Sequence, residues 1–189
     1  VARNGVFRGA TGAVDNATLE LHQTNVAIDA ADYPSAFLRW RAPATPTGMG
    51  FEIGWSDAKT DEALVCVSAL TDVPAAVPTI ANGITDFGLI VLNTDLSLAT
   101  AALIGDGTTG SVVGLRFPNL WATVTASSII DMIITVGPNF TRAQVWENNG
   151  LIGDFAVTNG PDSGTLVRFS ALWKSLDAAT KSIDVMKFV

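Results

Sequence analysis

The amino-acid sequence predicts an all-β protein made of two antiparallel sheets stacked face to face, and three observations lead to this prediction. Apolar residues recur with a period of two in most patterned segments, which is typical of strands that bury one face. Turn-forming segments such as Asp106–Gly110 and Asn159–Gly164 interrupt this pattern repeatedly. The chain of 189 residues is also long enough to bury one sizeable core.

The individual strands follow from the same alternation and from β-branched or aromatic composition. In Gly50–Ser56, for example, Phe51 and Trp55 share one face while Glu52 takes the other. We predict strands at Thr18–His22, Ala36–Arg41, Gly50–Ser56, Ala63–Leu70, Phe87–Asn93, Val112–Phe117, Leu120–Thr125, Ile129–Val136, Arg142–Glu147, Leu151–Val157, Thr165–Trp173 and Ser182–Val189.

Some segments depart from this simple pattern. Ala63–Leu70 and Phe87–Leu92 are apolar on both faces, so they should be central strands or strands whose second face is covered. Asp95–Gly105 could form a capped helix or a pair of strands, and both alternatives stay open. The first 30 residues are more polar and weakly patterned. We therefore divide the chain into residues 1–30, a loosely packed N-terminal arm or first strands, and residues 31–189, the sandwich domain.

The composition is unusually poor in charge. Charged residues make up 15% of the chain, against about 25% in an ordinary soluble domain. Hydrophobic residues reach 48% and the mean hydropathy is +0.36, yet no stretch approaches the ~20 apolar residues of a membrane-spanning helix. Either a large two-faced core or apolar surface covered by neighbouring subunits would explain this composition.

The net charge of −7 comes mainly from the middle of the chain. No lysine or arginine occurs between Lys59 and Arg116, whereas this gap holds Asp61, Glu62, Asp72, Asp86, Asp95 and Asp106. Such a distribution argues against binding to nucleic acid or to anionic membranes. It leaves either a cationic partner or a solvated acidic face.

A family resemblance is carried by the C-terminal third. The strand Ile129–Val136 is followed by Ala-Gln-Val-Trp-Glu-Asn-Asn-Gly-Leu-Ile-Gly over residues 143–153, a strand at Thr165–Ser170 and a closing Ile-Asp-Val at residues 183–185. This order resembles the concanavalin A-like, laminin G-like family, and the resemblance covers roughly residues 125–189. It implies a two-sheet antiparallel jelly-roll sandwich. Asn149-Gly150 is a strong hairpin signal because both residues tolerate positive φ.

Groups for catalysis are scarce, so we expect no enzyme. His22 is the only histidine, and a Gly-x-Ser-x-Gly nucleophile motif is missing. The clustered Glu-x-Asp-x-x-Glu strand of the glycoside hydrolases that share this fold is missing too. The single cysteine, Cys66, lies in a predicted buried strand and is best explained as a core thiol.

No cofactor is expected, although Ca²⁺ remains an alternative because it accepts isolated aspartates and asparagines as ligands. Two loop groups could supply them, and neither has the spacing of an EF-hand. The first group is Asp57, Asp61 and Glu62, and the second is Asp154, Asn159 and Asp162.

One aromatic residue stands out as a candidate binding residue. Trp146 shares a predicted strand face with Arg142 and Gln144, while Ala143 and Val145 point to the other side. An exposed indole ring beside polar side chains could form a sugar platform or a partner surface. Burial of the ring under a loop is the alternative.

The sequence favours a non-enzymatic structural or attachment module on a virion surface, such as a phage capsid decoration or fibre-head protein. Low charge, high apolar content and the scarcity of catalytic groups favour it, and the link to phage proteins is an analogy at the level of the fold. Its partners would be further copies of itself and neighbouring virion proteins, and its location a virion surface or otherwise the extracellular space. The alternative is a carbohydrate-binding module or lectin, and a glycan hydrolase or lyase is less favoured.

Overall fold

The computed structural model describes residues 6–14, 17–23, 26–58, 84–93, 100–106, 113–116 and 124–189. These residues form a short 3-10 helix at Ala30–Asp32 and thirteen strands. The strands are β1 (Phe7–Ala10), β2 (Thr18–His22), β3 (Ile28–Asp29), β4 (Ser35–Arg41), β5 (Met49–Ser56), β6 (Asp86–Asn93), β7 (Thr100–Asp106), β8 (Val113–Arg116), β9 (Ile129–Gly137), β10 (Phe140–Glu147), β11 (Gly150–Val157), β12 (Leu166–Ser175) and β13 (Ser182–Phe188).

The described strands form two antiparallel sheets. One sheet has six strands in the order β1-β13-β4-β9-β10-β11. The other has seven strands, with β2-β12-β5-β6-β7-β8 as its main path and β3 paired to β12 beside β2. The predicted all-β jelly-roll sandwich is therefore confirmed. No helix in the described part of the chain is long and apolar enough to cross a membrane.

The core lies between the two sheets and is rich in aromatic rings. Trp40 of β4 meets Phe51 of β5 and Trp173 of β12 edge to face, with ring centroids 5.4 and 5.6 Å apart. The indole N–H of Trp55 donates to the carbonyl of Ile134 across the interface at 3.2 Å. Period-two alternation places these rings on the inner faces, because successive strand residues point to opposite sides.

The two sheets differ at their outer faces. On the seven-stranded sheet, the outward residues of the central strands are buried; they include Glu52, Leu89, Val91 and Leu172. Strand β6 is thus buried on both faces, as its doubly apolar sequence predicts. On the six-stranded sheet, outward residues remain half-buried or exposed along β4, β9 and β10. This sheet therefore presents the accessible face.

Most predicted strands coincide with observed ones to within a few residues. The ambiguous segment Asp95–Gly105 forms strand β7 from Thr100 onward, so the strand alternative is correct there, and residues 94–99 lie outside the described residues. Ala63–Leu70, with Cys66, also lies outside them, as do residues 120–123 of the predicted strand Leu120–Thr125. Residues 124 and 125 are described and do not belong to a strand.

The hairpin between β10 and β11 is present, but its turn lies one residue earlier than the Asn149-Gly150 signal indicates. Asn148 and Asn149 take positive φ values of 48° and 68° and form a two-residue loop. Gly150 already pairs with Glu147 as the first residue of β11. Asparagine tolerates the left-handed region well enough to replace glycine in such turns.

The beginning of the chain contributes strands to both sheets. Strand β1 pairs with β13 at the edge of the six-stranded sheet, and β2 pairs with β12 at the edge of the other. Their side chains are mostly half-buried or exposed. The division of the chain at residue 30 stays a prediction.

Candidate functional site

The outer face of the six-stranded sheet holds the predicted site residues. Arg142, Gln144 and Trp146 alternate along β10 with the buried residues Ala143 and Val145, so all three point outward. The structure thus brings together the set that the alternation predicts. Because neighbouring strands flank β10 on both sides, each of the three residues gains partners that local sequence does not reveal.

Arg142 and Gln144 are both bound to one carboxylate on β11. Arg142 donates from Nε and Nη2 to the two oxygens of Asp154 at 3.1 and 2.8 Å. Gln144 Nε2 donates to the same carboxylate at 3.1 Å. The hydrogen bonds from Arg142 are the main cause that lowers the pKa of Asp154, and Asp154 in turn raises the pKa of Arg142. Asp154 therefore stays ionised and fixes both planar side chains.

A second ion pair lies beside the indole ring. The register places Trp146 opposite Asp131 of β9, and Asp131 opposite Arg39 of β4. Arg39 donates from Nε and Nη2 to Asp131, both at 2.6 Å, which raises the pKa of Arg39. Trp146 thus has an oriented carboxylate as its neighbour on one side.

Trp146 itself is half-buried. On the side of β11 its cross-strand partner is Leu151, whose exposed fraction is 54%. Its indole N–H has no hydrogen-bond partner within the described residues. An indole of this kind can offer its ring to the C–H face of a sugar and its N–H to a hydroxyl.

A second polar cluster lies at one end of the sandwich, where β6 begins. Asp86 is 4% exposed, and it accepts hydrogen bonds from the backbone N–H of Asp162 at 2.7 Å and the hydroxyl of Thr85 at 3.0 Å. The backbone N–H of Thr85 donates to the carboxylate of Asp57 at 3.4 Å, and the Thr85 hydroxyl oxygen lies 3.2 Å from the same carboxylate. Sequence reasoning missed Asp86. The sequence feature that could have indicated this residue is a single acidic side chain directly before the apolar residues of β6.

The two groups suggested for Ca²⁺ are rearranged by the fold. Asp57 and Asp162 both lie around Asp86, while Asp154 is held by Arg142 on the outer face. Asp61 and Glu62 lie outside the described residues. Within the described ranges, no group of three acidic, histidine or cysteine side chains is placed to hold a metal ion.

The only histidine, His22, lies beside a carboxylate of its own strand. His22 ends β2, and its Nδ1 lies 3.8 Å from a carboxylate oxygen of Glu20. The two residues are neighbours on one strand face because they are two positions apart. The spacing of two residues along β2 therefore explains why the carboxylate of Glu20 lies beside the imidazole of His22.

Comparisons with known proteins support the fold. No protein-family model and no curated protein match the sequence. Among solved structures, the carbohydrate recognition domain of Emp46p in its potassium-bound form is similar, with a TM-score of 0.55, 13% identity and coverage of 97% of this chain and 87% of that chain. Peanut lectin with a 9mer peptide has a TM-score of 0.54 and 11% identity, with coverage of 98% and 90%.

An enzyme occurs among the similar structures as well. The endo-β-1,4-glucuronan lyase of the fungus Trichoderma reesei has a TM-score of 0.56 and 7% identity, covering 95% of this chain and 78% of that chain. These likenesses extend over nearly the whole chain, beyond the C-terminal third that carries the resemblance in sequence. The fold is the concanavalin A-like jelly roll of legume-lectin-like domains.

Proposed function

We propose that this protein is a non-catalytic carbohydrate-binding domain. The observation that carries the proposal is its fold, which it shares with a carbohydrate recognition domain and a lectin over at least 97% of its length. Fold alone does not determine function, so the proposal also needs a site with suitable chemistry. The outer face around Trp146 supplies one.

The chemistry of this face suits a sugar ring. Trp146 would stack against the apolar C–H face of the ring, while Gln144 and the paired Arg142 and Asp154 would exchange hydrogen bonds with its hydroxyls. The ion pairs fix these groups before binding, so little side-chain entropy is lost when a ligand arrives. Leu151 extends the apolar surface beside the indole.

The state of two acids on this face, Asp154 and Asp184, supports binding without glycoside hydrolysis. A general acid for glycoside cleavage needs a raised pKa, so that it still carries a proton near neutral pH. The pKa of Asp154 is lowered by Arg142, and that of Asp184 on β13 is lowered by Arg8. Both acids are therefore suited to accept hydrogen bonds and not to donate a proton.

A panel of soluble glycans and of insoluble cellulose, chitin and starch tests the proposal, with Trp146→Ala as the diagnostic variant. We expect Trp146→Ala to weaken binding of the best ligand by about tenfold or more, as for a central aromatic contact. Tyr33→Ala is the control, because Tyr33 is 49% exposed and contacts Phe140, at the opposite end of β10 from Trp146. It should leave the affinity unchanged.

Asp86→Asn separates this site from the cluster at the end of the sandwich. The substitution keeps the shape of a buried side chain and removes its charge, so under our proposal it leaves glycan affinity unaltered. Loss of binding in Asp86→Asn together with retained binding in Trp146→Ala would move the site to that cluster. Failure of the unmodified protein to bind any glycan would contradict the proposed function.

The virion role, the formation of homo-oligomers and the extracellular location stay predictions from the sequence. The described residues offer no observation that favours a virion partner over a glycan. Carbohydrate binding is preferred because it agrees with both the fold and the chemistry of the outer face.

A further inference from the structure

The outer face of the six-stranded sheet is cationic, in contrast to the whole chain. Its described strand residues include five cationic and three acidic side chains, whereas the chain carries a net charge of −7. The cations are Arg8, Arg39, Arg41, Arg142 and Lys187, and the acids are Asp131, Asp154 and Asp184. This surplus attracts anions to the face that holds Trp146.

A cavity of about 300 Å³ opens at one corner of this face. It is lined by Arg8, Arg41, Asp184, Ser127, Ser182 and residues 42–44. Its volume lies at the lower end of the range for small-molecule sites, about 300–1,000 Å³. The cavity could therefore hold a single charged ring or a comparable group.

The wall of the cavity is held by the backbone. Ser127 has a φ of 58°, in the left-handed region that non-glycine residues rarely adopt. Its N–H donates to the carbonyl of Pro43 at 3.1 Å, and the N–H of Ala42 donates to Ser128 at 2.9 Å. Strained backbone that is fixed in this way is a frequent property of binding sites.

Among the described residues that line this cavity, Arg41 is the charged one whose side chain is not paired. Asp184 accepts from Arg8 Nε at 2.5 Å and from Arg8 Nη2 at 2.8 Å, so both of its oxygens are engaged. Arg41 faces Asp184 across the β4–β13 pair and lowers its pKa only through its charge, after the larger effect of Arg8. Within the described residues, its exposed guanidinium makes no hydrogen bond.

We propose that this cavity binds the anionic group of an acidic sugar, with Arg41 as the residue that contacts it. The guanidinium fork matches a carboxylate or a sulfate ester through two parallel N–H donors. Ser127 and Ser182 line the same cavity, and a serine hydroxyl can donate a further hydrogen bond.

The inference rests on the proposed function and specifies its ligand class as an acidic polysaccharide. Arg41 lies two residues along β4 from Arg39, which shares a cross-strand row with Asp131 and Trp146. Strand spacing and rise place the backbones of Arg41 and Trp146 about 12 Å apart. A short stretch of polysaccharide could reach both.

Titration calorimetry with the full chain tests this inference with two matched pairs of ligands. Polygalacturonate is compared with its methyl ester, and sulfated dextran with dextran, so that each pair differs in charge and not in backbone. We expect at least one acidic polymer to bind about tenfold tighter than its neutral counterpart. Tighter binding of polygalacturonate than of its methyl ester would identify the anionic group as a carboxylate. Tighter binding of sulfated dextran than of dextran would identify it as a sulfate ester.

Arg41→Gln is the diagnostic variant, and Lys174→Gln on β12 of the other sheet removes the same charge elsewhere. We expect Arg41→Gln to weaken binding of the acidic polymer about tenfold and to leave binding of neutral glycans unchanged. Lys174→Gln should change either affinity by less than about twofold. Because Arg41 is exposed, its variant should unfold at the same temperature as the unmodified protein.

Equal losses in the two variants would overturn the inference, because net charge alone would then explain the attraction. Equal binding of acidic and neutral polymers would also overturn it, while leaving the Trp146-dependent binding of glycans in place. Absence of binding to every polymer and glycan would overturn the proposed function as well.

Discussion

At the scale of single residues, Lys181 is a charged group that is almost fully buried. It is 1% exposed, and its ammonium donates to the carbonyl of Thr47 at 2.7 Å and to Asp177 at 3.0 Å. Its backbone N–H donates to the hydroxyl of Thr11 at 2.9 Å. One residue therefore ties together the start of β13, the loop before β5 and the segment after β1.

Replacing Lys181 by methionine removes the ammonium and keeps most of the buried stem. The Thr47 carbonyl loses its partner, so we expect the free energy of unfolding to fall by about 1–3 kcal/mol in urea denaturation at neutral pH. Lys187→Met is the control, because Lys187 is exposed, and it should change stability by about 0.5 kcal/mol at most. Equal stability of the two variants would contradict the role of the buried ammonium.

The effect of Lys181→Met on the free energy of unfolding should depend on pH. The hydrogen bond from Lys181 is the main cause that lowers the pKa of Asp177, and the N–H of Ala179 adds to it. A carboxylate with a lowered pKa stabilises the fold fully above its unfolded pKa of about 3.9, and this contribution is lost as pH falls through the folded value. The stability difference between the unmodified protein and Lys181→Met should therefore shrink in acid. A difference that grows on acidification would be inconsistent with this ion pair.

At the scale of elements, alternation predicts which face a residue takes but not which residue lies across from it. Trp146, Arg142 and Gln144 could be placed together because they occupy one strand with a period of two. Their partners could not, because Asp131 and Asp154 reach them only through the register of β9 and β11. Asp86 was missed since its burial depends on the loop of Asp162, which is distant in sequence.

The hairpin between β10 and β11 allows its turn position to be tested. Asn149 has a positive φ, which glycine adopts easily, so glycine would suit position 149. Gly150 is the first residue of β11, so glycine is not required at position 150. We expect Asn149→Gly to raise the free energy of unfolding by up to about 1 kcal/mol, because an Asn-Gly pair suits this turn. Gly150→Ala should change it by about 0.5 kcal/mol or less. A large loss in Gly150→Ala, measured by thermal unfolding, would place the turn at Asn149-Gly150 instead.

At the scale of the whole molecule, the fold is closed by pairs of strands from opposite ends of the chain. Strand β1 pairs with β13, and β2 pairs with β12. Local pattern predicted both β2 and the closing strand, but it missed β1 and could not give either pairing. Leu19 and Leu21 of β2 pack against the core, which joins the early segment to the sandwich. The segment of residues 1–30 therefore contains side chains that pack against the core.

Truncation from the N-terminus separates the contributions of β1 and β2 to stability. Removal of residues 1–10 deletes β1, whose side chains are mostly exposed, together with the ion pair between Arg8 and Asp184. An exposed pair of this kind contributes up to about 1 kcal/mol, so we expect a folded protein that melts a few degrees lower.

Removal of residues 1–22 also deletes β2 and uncovers the edge of β12 beside Trp173. We expect this variant to aggregate or to lose cooperative unfolding, because an unpaired apolar edge is a template for association. Scanning calorimetry combined with light scattering distinguishes a folded variant from an aggregated one. If the variant without residues 1–22 melted cooperatively at the temperature of the full chain, β2 would be dispensable.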